Sequence, residues 1–213
     1  MRSLKLAILF TAVAALANNA SAQQQFKFIS GGTVTAFGYY VGPYAGATGP
    51  SFSQPVTLNC VDFFHHISVG QVWDANLTRL GSASDLSATR FGGLTNALTL
   101  YRQAAWLTTQ YAGKSNYEVG QIQATIWNLF GGGPTPATNS WLTLAQTNYT
   151  SVNMRDFVVI TDVNKELARS AQEFLTYDPV VTPEPATMAL LGTGLAGVVV
   201  LRRRRKRSDQ ADI

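Results

Sequence analysis

Two apolar segments, one at each end of this 213-residue chain, confine any globular core to the residues between them. At the amino terminus, two basic residues precede an apolar run at residues 6–16, and Ala-Ser-Ala follows at 20–22. The run is too short to span a bilayer, and the small residues suit a signal peptidase. We therefore predict a cleaved signal peptide over residues 1–22 and an exported protein.

The carboxyl terminus has three consecutive parts. Pro183-Glu184-Pro185 precedes sixteen uncharged residues at 186–201, and the basic run Arg202–Arg207 follows them. Sixteen helical residues cover about 24 Å, and snorkelling arginines with modest bilayer thinning supply the remaining thickness. We predict a transmembrane helix at 186–201 with a basic cytoplasmic tail at 202–213, which leaves residues 23–185 outside the inner membrane.

The tail from Val181 to Arg207, VTPEPATMALLGTGLAGVVVLRRRRKR, resembles the PEP-CTERM sorting signal of Gram-negative bacteria. The three parts of that signal occur together and in order. The resemblance implies processing near the Pro-Glu-Pro motif by an exosortase, with release or attachment at the cell surface, often alongside exopolysaccharide production. The expected partners are therefore a sorting enzyme of the exosortase type and the membrane.

The charge of the exported part indicates which partners it can bind, and its length indicates how many domains it forms. Residues 23–185 carry eight basic and ten acidic side chains, a net charge of −2, although the whole chain is +4. Without a basic excess, a nucleic-acid partner is not expected. This length suffices for one domain with a core of its own. We assign the ectodomain to residues 23–176 and a linker containing the Pro-Glu-Pro motif to residues 177–185.

Residue patterns predict strands in the first half of the ectodomain and helices in its middle. β-branched and aromatic residues indicate strands at 26–29, 33–41, 55–64 and 156–161. Apolar residues at helical spacing indicate helices at 95–111, 117–130 and 164–175. Strands on both sides of a helical insert predict an α+β fold, with a β-sandwich or barrel-like sheet.

The chain has one cysteine, Cys60, which cannot form an internal disulfide in the exported protein. The Cys60 thiol could instead condense with the carboxamide of Gln123, in the first turns of the second predicted helix, into an internal thioester with loss of ammonia. The simpler alternative is that Cys60 is a small buried hydrophobic residue, and the sequence leaves this alternative open.

Residues 55–130 resemble the thioester domains of bacterial surface adhesins. The first shared motif is Cys60-Val61-Asp62 after a strand. The second is IQATIW at 122–127, which opens a helix and includes Gln123 and Trp127; Ile122 and Thr125 replace the threonine and alanine of the family pattern. The resemblance implies covalent adhesion, in which an amine on a partner surface protein or matrix attacks the acyl group of Gln123.

Such a bond needs support and protection from water. Asp62, Phe63 and Trp127 are the expected supporting and shielding residues. Phe64, Tyr39 and Tyr40 are further candidate shields. Alternation from Cys60 along the predicted strand puts His66 on the same face as Cys60, as a candidate base. The simpler alternative is that His65 and His66 are an exposed pair at a strand end. No metal or cofactor is expected.

Three functions remain compatible with these observations. The first is a surface-sorted thioester protein that reacts once with a partner amine and is therefore not a turnover enzyme. The second is a noncovalent structural or exopolysaccharide-associated matrix protein with the same fold. The third is a hydrolase that uses Cys60 and a histidine.

Overall fold

A closed barrel of six antiparallel strands forms the centre of the protein. The computed structural model describes residues 23–81 and 85–179. The barrel strands are β1 (Gln23–Ser30), β4 (Pro43–Thr48), β5 (Gln54–Cys60), β6 (Val72–Arg79), β7 (Phe157–Asp162) and β8 (Phe174–Tyr177). Around the barrel they follow the order β1-β4-β5-β8-β7-β6, which differs from chain order because β8 is inserted beside β5.

The remaining elements are a small hairpin and three helices. The hairpin consists of β2 (Thr35–Ala36) and β3 (Tyr39–Tyr40). The helices are α1 (Ala97–Thr108), α2 (Asn116–Leu129) and α3 (Ser140–Asn148). A barrel with three helices is consistent with the predicted α+β class, and α1 and α2 confirm the helices predicted at 95–111 and 117–130.

Aromatic side chains from four strands meet in the barrel. Phe26 of β1 pairs with Trp73 of β6, and their ring centroids lie 5.7 Å apart. The Phe174 ring of β8 lies 5.9 Å from Trp73 and 6.5 Å from Phe28, while Tyr44 of β4 contacts both Phe28 and Phe174. All five side chains are buried. Paired residues share a face of the sheet, so these rings lie together inside the barrel. Successive side chains along each strand point alternately into this core and away from it.

The barrel closes at a short seam between β5 and β8. Two residue pairs form it, Asn59 with Leu175 and Cys60 with Phe174, and the Val61 amide donates to the Glu173 carbonyl at 3.0 Å. Cys60 is thus the last residue of β5 and lies in the seam itself. The prediction that this strand continues to residue 64 is wrong, so strand alternation says nothing about side-chain directions after Cys60.

Helix α2, which carries Gln123, is buried on all sides in its central part. All nine residues from Val119 to Trp127 are buried, unlike the single apolar stripe of a surface helix. Ser115 and Glu118 form a reciprocal capping box at its start. The β2–β3 hairpin packs closely on this helix at Gly120, where an added Cβ would lie 2.6 Å from the Ala36 side chain.

The prediction of a helix at 164–175 is wrong. Turns occupy most of this segment, and Leu167, expected inside, is 60% exposed. The Asp162 carboxylate accepts hydrogen bonds from the amides of Asn164 at 2.8 Å and Ala171 at 2.7 Å, and such local side-chain bonds compete with helix formation. The following residues pair with β5 and β7 as β8, which extends to Tyr177, one residue into the predicted linker.

Other elements also differ from the predictions. Residues 33–41 form the β2–β3 hairpin and not one strand, with Gly38 and Gly42 at positive φ where the chain turns. Strands β4 and β6 and helix α3 were not predicted. The expected signal peptide at 1–22, the Pro-Glu-Pro motif, the apolar segment 186–201 and the basic tail lie outside the described residues. In residues 23–81 and 85–179, no helix is long and apolar enough to cross a bilayer.

Candidate functional site

The side chain of Gln123 lies against Cys60. Its Nε2 donates a hydrogen bond of 2.8 Å to the Cys60 carbonyl oxygen, and neither residue has measurable solvent exposure. The seam between β5 and β8 fixes Cys60, while the buried helix α2 fixes Gln123. Two residues separated by 63 positions therefore meet in a region closed to bulk water.

Trp127 contacts Cys60 from the same helix. Its indole Nε1 donates to the Cys60 Sγ at 3.5 Å. Trp127 follows Gln123 by four residues, a spacing that places both side chains on one face of α2. The Cys60 Sγ also donates to the Asp62 carbonyl at 3.1 Å. The sulfur thus lies between a donor, Trp127, and an acceptor, Asp62.

Tyr111, just after α1, completes the hydrogen bonding of Gln123. Its hydroxyl donates to Gln123 Oε1 at 2.8 Å, so both ends of the carboxamide have partners. Burial raises the pKa of Tyr111 well above its ordinary value, which keeps the phenol protonated and able to donate. The sequence pattern indicates Tyr111 only as the last residue of the helix predicted at 95–111, because its polar partner comes from a different helix.

The turn after Cys60 is held by Asp62, which is fully buried. Its Oδ1 accepts from the amides of Phe64 at 2.9 Å and His65 at 3.3 Å. Its Oδ2 lies 2.8 Å from His65 Nδ1 and makes a 2.9 Å ionic contact with Arg90 Nε, without the alignment of a hydrogen bond. Asp62 therefore fixes the chain direction immediately beyond the cysteine.

Arg90 joins this turn to the segment before β8. Its guanidinium donates to Ser170 Oγ at 2.8 Å, to the Ala171 carbonyl at 3.1 Å and to the Lys165 carbonyl. Its backbone amide donates to the buried carboxylate of Glu173 at 2.6 Å. No sequence pattern indicates a role for Arg90, because its partners come from distant segments that only the closed barrel brings together.

Glu173 is a second buried carboxyl group in this region. Thr161 and Tyr101 donate to it in addition to the Arg90 amide. Burial raises the pKa of Glu173 above its ordinary value, against the opposing effect of these hydrogen bonds. The residue precedes β8 and supports the barrel seam beside Cys60.

Other aromatic rings pack against Trp127. Phe63 lies 5.1 Å from Trp127 between ring centroids, and Tyr39 lies 5.1 Å from Phe63 and 6.1 Å from Trp127. Phe64 contacts Phe63 at 6.3 Å but is itself 58% exposed. The β2–β3 hairpin thus contributes Tyr39 to an aromatic layer next to Cys60.

A pocket of about 250 Å³ is lined in part by this layer. Trp127, Phe63, Tyr39, Tyr40 and Tyr44 contribute aromatic rings to its wall. Trp127 lines the pocket and also contacts the Cys60 sulfur. One side chain therefore bridges the buried site and an opening to solvent.

The two histidines differ in their positions. His65 is engaged through Nδ1 with Asp62 and through Nε2 with Arg90, so it belongs to the polar network. His66 is exposed and lines the pocket. In residues 23–81 and 85–179, no group of three or more His, Cys, Asp or Glu side chains is arranged to hold a metal ion.

We expect a free Cys60 thiol to be unreactive in the folded protein. Burial raises its pKa to about 12 and outweighs the opposing hydrogen bond from Trp127. In a Gln123→Ala variant, which has no carboxamide to condense, iodoacetamide at pH 8 should modify Cys60 only after denaturant is added. Rapid alkylation of the folded variant at pH 8 would contradict the buried position of Cys60.

The stability of this variant should also depend on pH. Because the Cys60 thiol ionises at lower pH in the unfolded protein than in the folded one, its ionisation should lower the free energy of unfolding as pH rises from about 9 towards 12.

Comparison with known proteins identifies the tail. Residues 181–205 match the model of the PEP-CTERM protein-sorting motif. No curated protein and no solved structure matches the chain. The motif confirms the sorting signal, with its Pro183, Glu184 and Pro185, that was predicted from the sequence. It indicates export, recognition by an exosortase and membrane-associated sorting to the cell envelope.

Proposed function

We propose that this exosortase-sorted extracellular protein forms a Cys60–Gln123 thioester and uses it once, to attach covalently to an amine on a surface protein or matrix. The observation that supports the proposal is the hydrogen bond of 2.8 Å from Gln123 Nε2 to the Cys60 carbonyl in a fully buried site. Holding two reactants in place replaces a bimolecular step by an intramolecular one, with effective molarities of about 10⁵ M or more.

The bond would form with balanced loss of ammonia. The Cys60 Sγ attacks Gln123 Cδ, the Cδ–Nε2 bond breaks, and the thiol proton leaves on the nitrogen as part of ammonia. Burial disfavours a free thiolate at Cys60, so transfer of this proton accompanies the attack and does not precede it. Tyr111 stabilises the developing negative charge on Gln123 Oε1, because its hydroxyl already donates to that atom.

The reaction with a partner would reverse the roles of the same groups. An amine nitrogen attacks Cδ, the Cδ–Sγ bond breaks, and an amine proton passes to the sulfur. The Trp127 indole donates to Sγ and therefore stabilises the leaving sulfur as its charge develops. The product is an amide between Gln123 and the partner with a free Cys60, which is chemically stable and does not return to the thioester.

Intact-mass spectrometry under nondenaturing preparation tests the proposal. The exported protein should be lighter than the mass calculated from its sequence by one ammonia. Methylamine should add its own mass to the peptide that contains Gln123. The matched variant Cys60→Ala removes only the sulfur from a buried small residue, so it should show the full mass of its sequence and no labelling. Wild-type protein at full mass that methylamine does not label would falsify the proposal.

The intact mass should be measured before any thiol assay is made. A thioester exposed by denaturant hydrolyses to a free Cys60 and a glutamate at position 123, so a thiol found after denaturation does not distinguish the two states. Hydrolysis can still be detected, since the carboxylate at position 123 differs in mass from the original carboxamide. Peptide mapping at Gln123 therefore separates a spent thioester from a chain that never formed one.

A second candidate, a noncovalent structural or polysaccharide-associated matrix protein, is favoured by a different feature. A groove of about 710 Å³ includes residues of β1, β4, β5 and β8. The exposed side chains of Gln54, Thr57 and Tyr177 line it and offer amide, hydroxyl and aromatic groups of the kind that bind neutral sugars. Full-mass protein would leave this candidate as the better explanation.

The hydrolase alternative fits the geometry least. A catalytic cysteine must reach substrate as a thiolate, whereas Cys60 is fully buried and its pKa is raised to about 12 by that burial. Both ring nitrogens of His65 are engaged by Asp62 and Arg90. Repeated hydrolysis of a small ester that is lost in Cys60→Ala would revive this alternative.

A further inference from the structure

The pocket lined by Trp127 combines aromatic rings with polar groups that can form hydrogen bonds. The polar side chains in its lining include Ser30, His66 and Gln172, and the described residues that line it include no Asp, Glu, Lys or Arg. A charged ligand would therefore find no carboxylate, ammonium or guanidinium of opposite charge in the wall. A neutral ligand rich in hydroxyl groups would find both donors and acceptors there.

Tyr40 contributes a fixed aromatic ring to this pocket. The ring lies against Gly31, where an added Cβ would be 2.9 Å from Tyr40 Cγ, and the Tyr44 hydroxyl donates to the Tyr40 carbonyl at 2.7 Å. Tyr40 is nevertheless 58% exposed. A ring held against the backbone and still largely open to solvent offers an apolar surface on which the C–H groups of a saturated ring can pack.

Polar groups in the lining keep hydrogen-bonding capacity for a ligand. Gln172 Nε2 donates to the Asp62 carbonyl at 3.2 Å, which orients the carboxamide and leaves Oε1 without a partner among the residues that the structure describes. The ring of His66 has no hydrogen bond to any described residue. Ser30 Oγ accepts from the Gly32 amide at 3.0 Å, so its hydroxyl proton remains available for donation.

The size of the pocket limits the ligand. Its volume of about 250 Å³ is roughly that of eight water molecules in the liquid. One six-membered sugar ring with its hydroxyl groups fits in this volume, whereas a second ring would extend beyond it. The faces of such a ring carry C–H groups and its edge carries hydroxyls, which matches an aromatic side chain beside uncharged hydrogen-bonding groups.

We infer that this pocket binds one neutral sugar ring, as a free monosaccharide or as the terminal residue of a glycan. One face of the ring packs against Tyr40, and its hydroxyl groups bond to Gln172 and His66. The site is distinct from the groove along β5 and β8, and it does not depend on whether Cys60 reacts with Gln123.

Saturation-transfer NMR on the exported protein tests the inference with glucose, galactose and mannose, each compared with its own uronate. We expect at least one hexose to bind with a Kd of about 1–10 mM, the range for a ligand of this size. Its uronate should bind at least about tenfold more weakly, because the carboxylate would lose water without gaining a cationic partner.

Two variants locate the binding in the pocket. Gly31→Ala displaces the Tyr40 ring and Tyr40→Ala removes it, so each should weaken hexose binding about fivefold or more. Gly93→Ala is the matched glycine control, because an added Cβ there meets no atom within 4 Å. Tyr177→Ala is the matched tyrosine control, because Tyr177 is 59% exposed and lines the groove instead. Both controls should bind as the wild type does.

Methyl glycosides of the same hexoses distinguish the two sources of the ring. A methyl glycoside that binds as tightly as the free hexose supports the terminal residue of a glycan, in which the anomeric oxygen is also substituted. Binding of the free hexose alone supports a monosaccharide ligand.

Several outcomes would overturn the inference. It is wrong if no hexose binds at tenfold above the expected Kd, or if the uronates bind as tightly as the hexoses. It is also wrong if Gly31→Ala and Tyr40→Ala bind as Gly93→Ala does. Loss of binding in Tyr177→Ala alone would assign the sugar to the groove. None of these results depends on the mass of the Gln123 peptide, so failure of the thioester is detected separately.

Discussion

Replacing Tyr111 by phenylalanine should slow methylamine labelling of Gln123 by about 10²- to 10³-fold, the usual effect of removing one donor to a developing oxyanion. The Tyr111 hydroxyl donates to Gln123 Oε1 at 2.8 Å, and this oxygen gains charge when either the sulfur or an amine attacks Cδ. Because burial keeps the phenol protonated, the donor should act throughout the neutral and mildly alkaline range. The same variant should accumulate more protein at full mass, since thioester formation passes through a similar charge distribution.

The control is Tyr117→Phe, which removes a hydroxyl from an exposed tyrosine at the start of α2. Tyr111→Phe also leaves Gln123 Oε1 without that donor, at a cost of about 1–3 kcal/mol in stability, so circular dichroism should first establish that the variant is folded. A folded Tyr111→Phe protein that labels as fast as Tyr117→Phe would show that this hydrogen bond is structural only.

Replacing Arg90 by methionine should lower the free energy of unfolding by about 3–5 kcal/mol, the cost of removing one partner from a buried ion pair. Asp62 has no exposed surface and Arg90 is 10% exposed, so water cannot replace the lost contact. Arg90 also donates to Ser170 and Ala171, and the variant removes these bonds between the turn after Cys60 and the segment before β8. Methionine keeps an apolar chain in place, which limits the packing loss.

Urea unfolding compares this variant with Arg155→Met, in which the replaced arginine is exposed and the expected change is within about 0.5 kcal/mol. Adding Asp62→Asn to Arg90→Met should recover part of the loss, because the remaining buried charge is then removed. Equal unfolding midpoints for Arg90→Met and Arg155→Met would contradict the role of this ion pair.

The parts of the site that the sequence could indicate are those with a local signature. Gln123 and Trp127 are four residues apart in a clear helical pattern, and Cys60 ends a segment of strand-forming residues. Tyr111 and Arg90 have no such signature, because each acquires its role through a partner from a distant segment. His66 shows the limit of local rules. Strand alternation from Cys60 predicts His66 as the base, but the strand ends at Cys60 and the turn set by Asp62 puts His65 in the polar network instead.

The sequence by itself determined the sorting tail, the two central helices and the α+β class, because these depend on composition and periodicity within one segment. Tertiary structure decided how the barrel closes. Residues 174–177 form a strand and not the end of a helix, since β5 and β7 offer them backbone partners that no local pattern records. That closure fixes Cys60 in a dry seam against Gln123, and long-range pairing of this kind depends on the whole chain being folded.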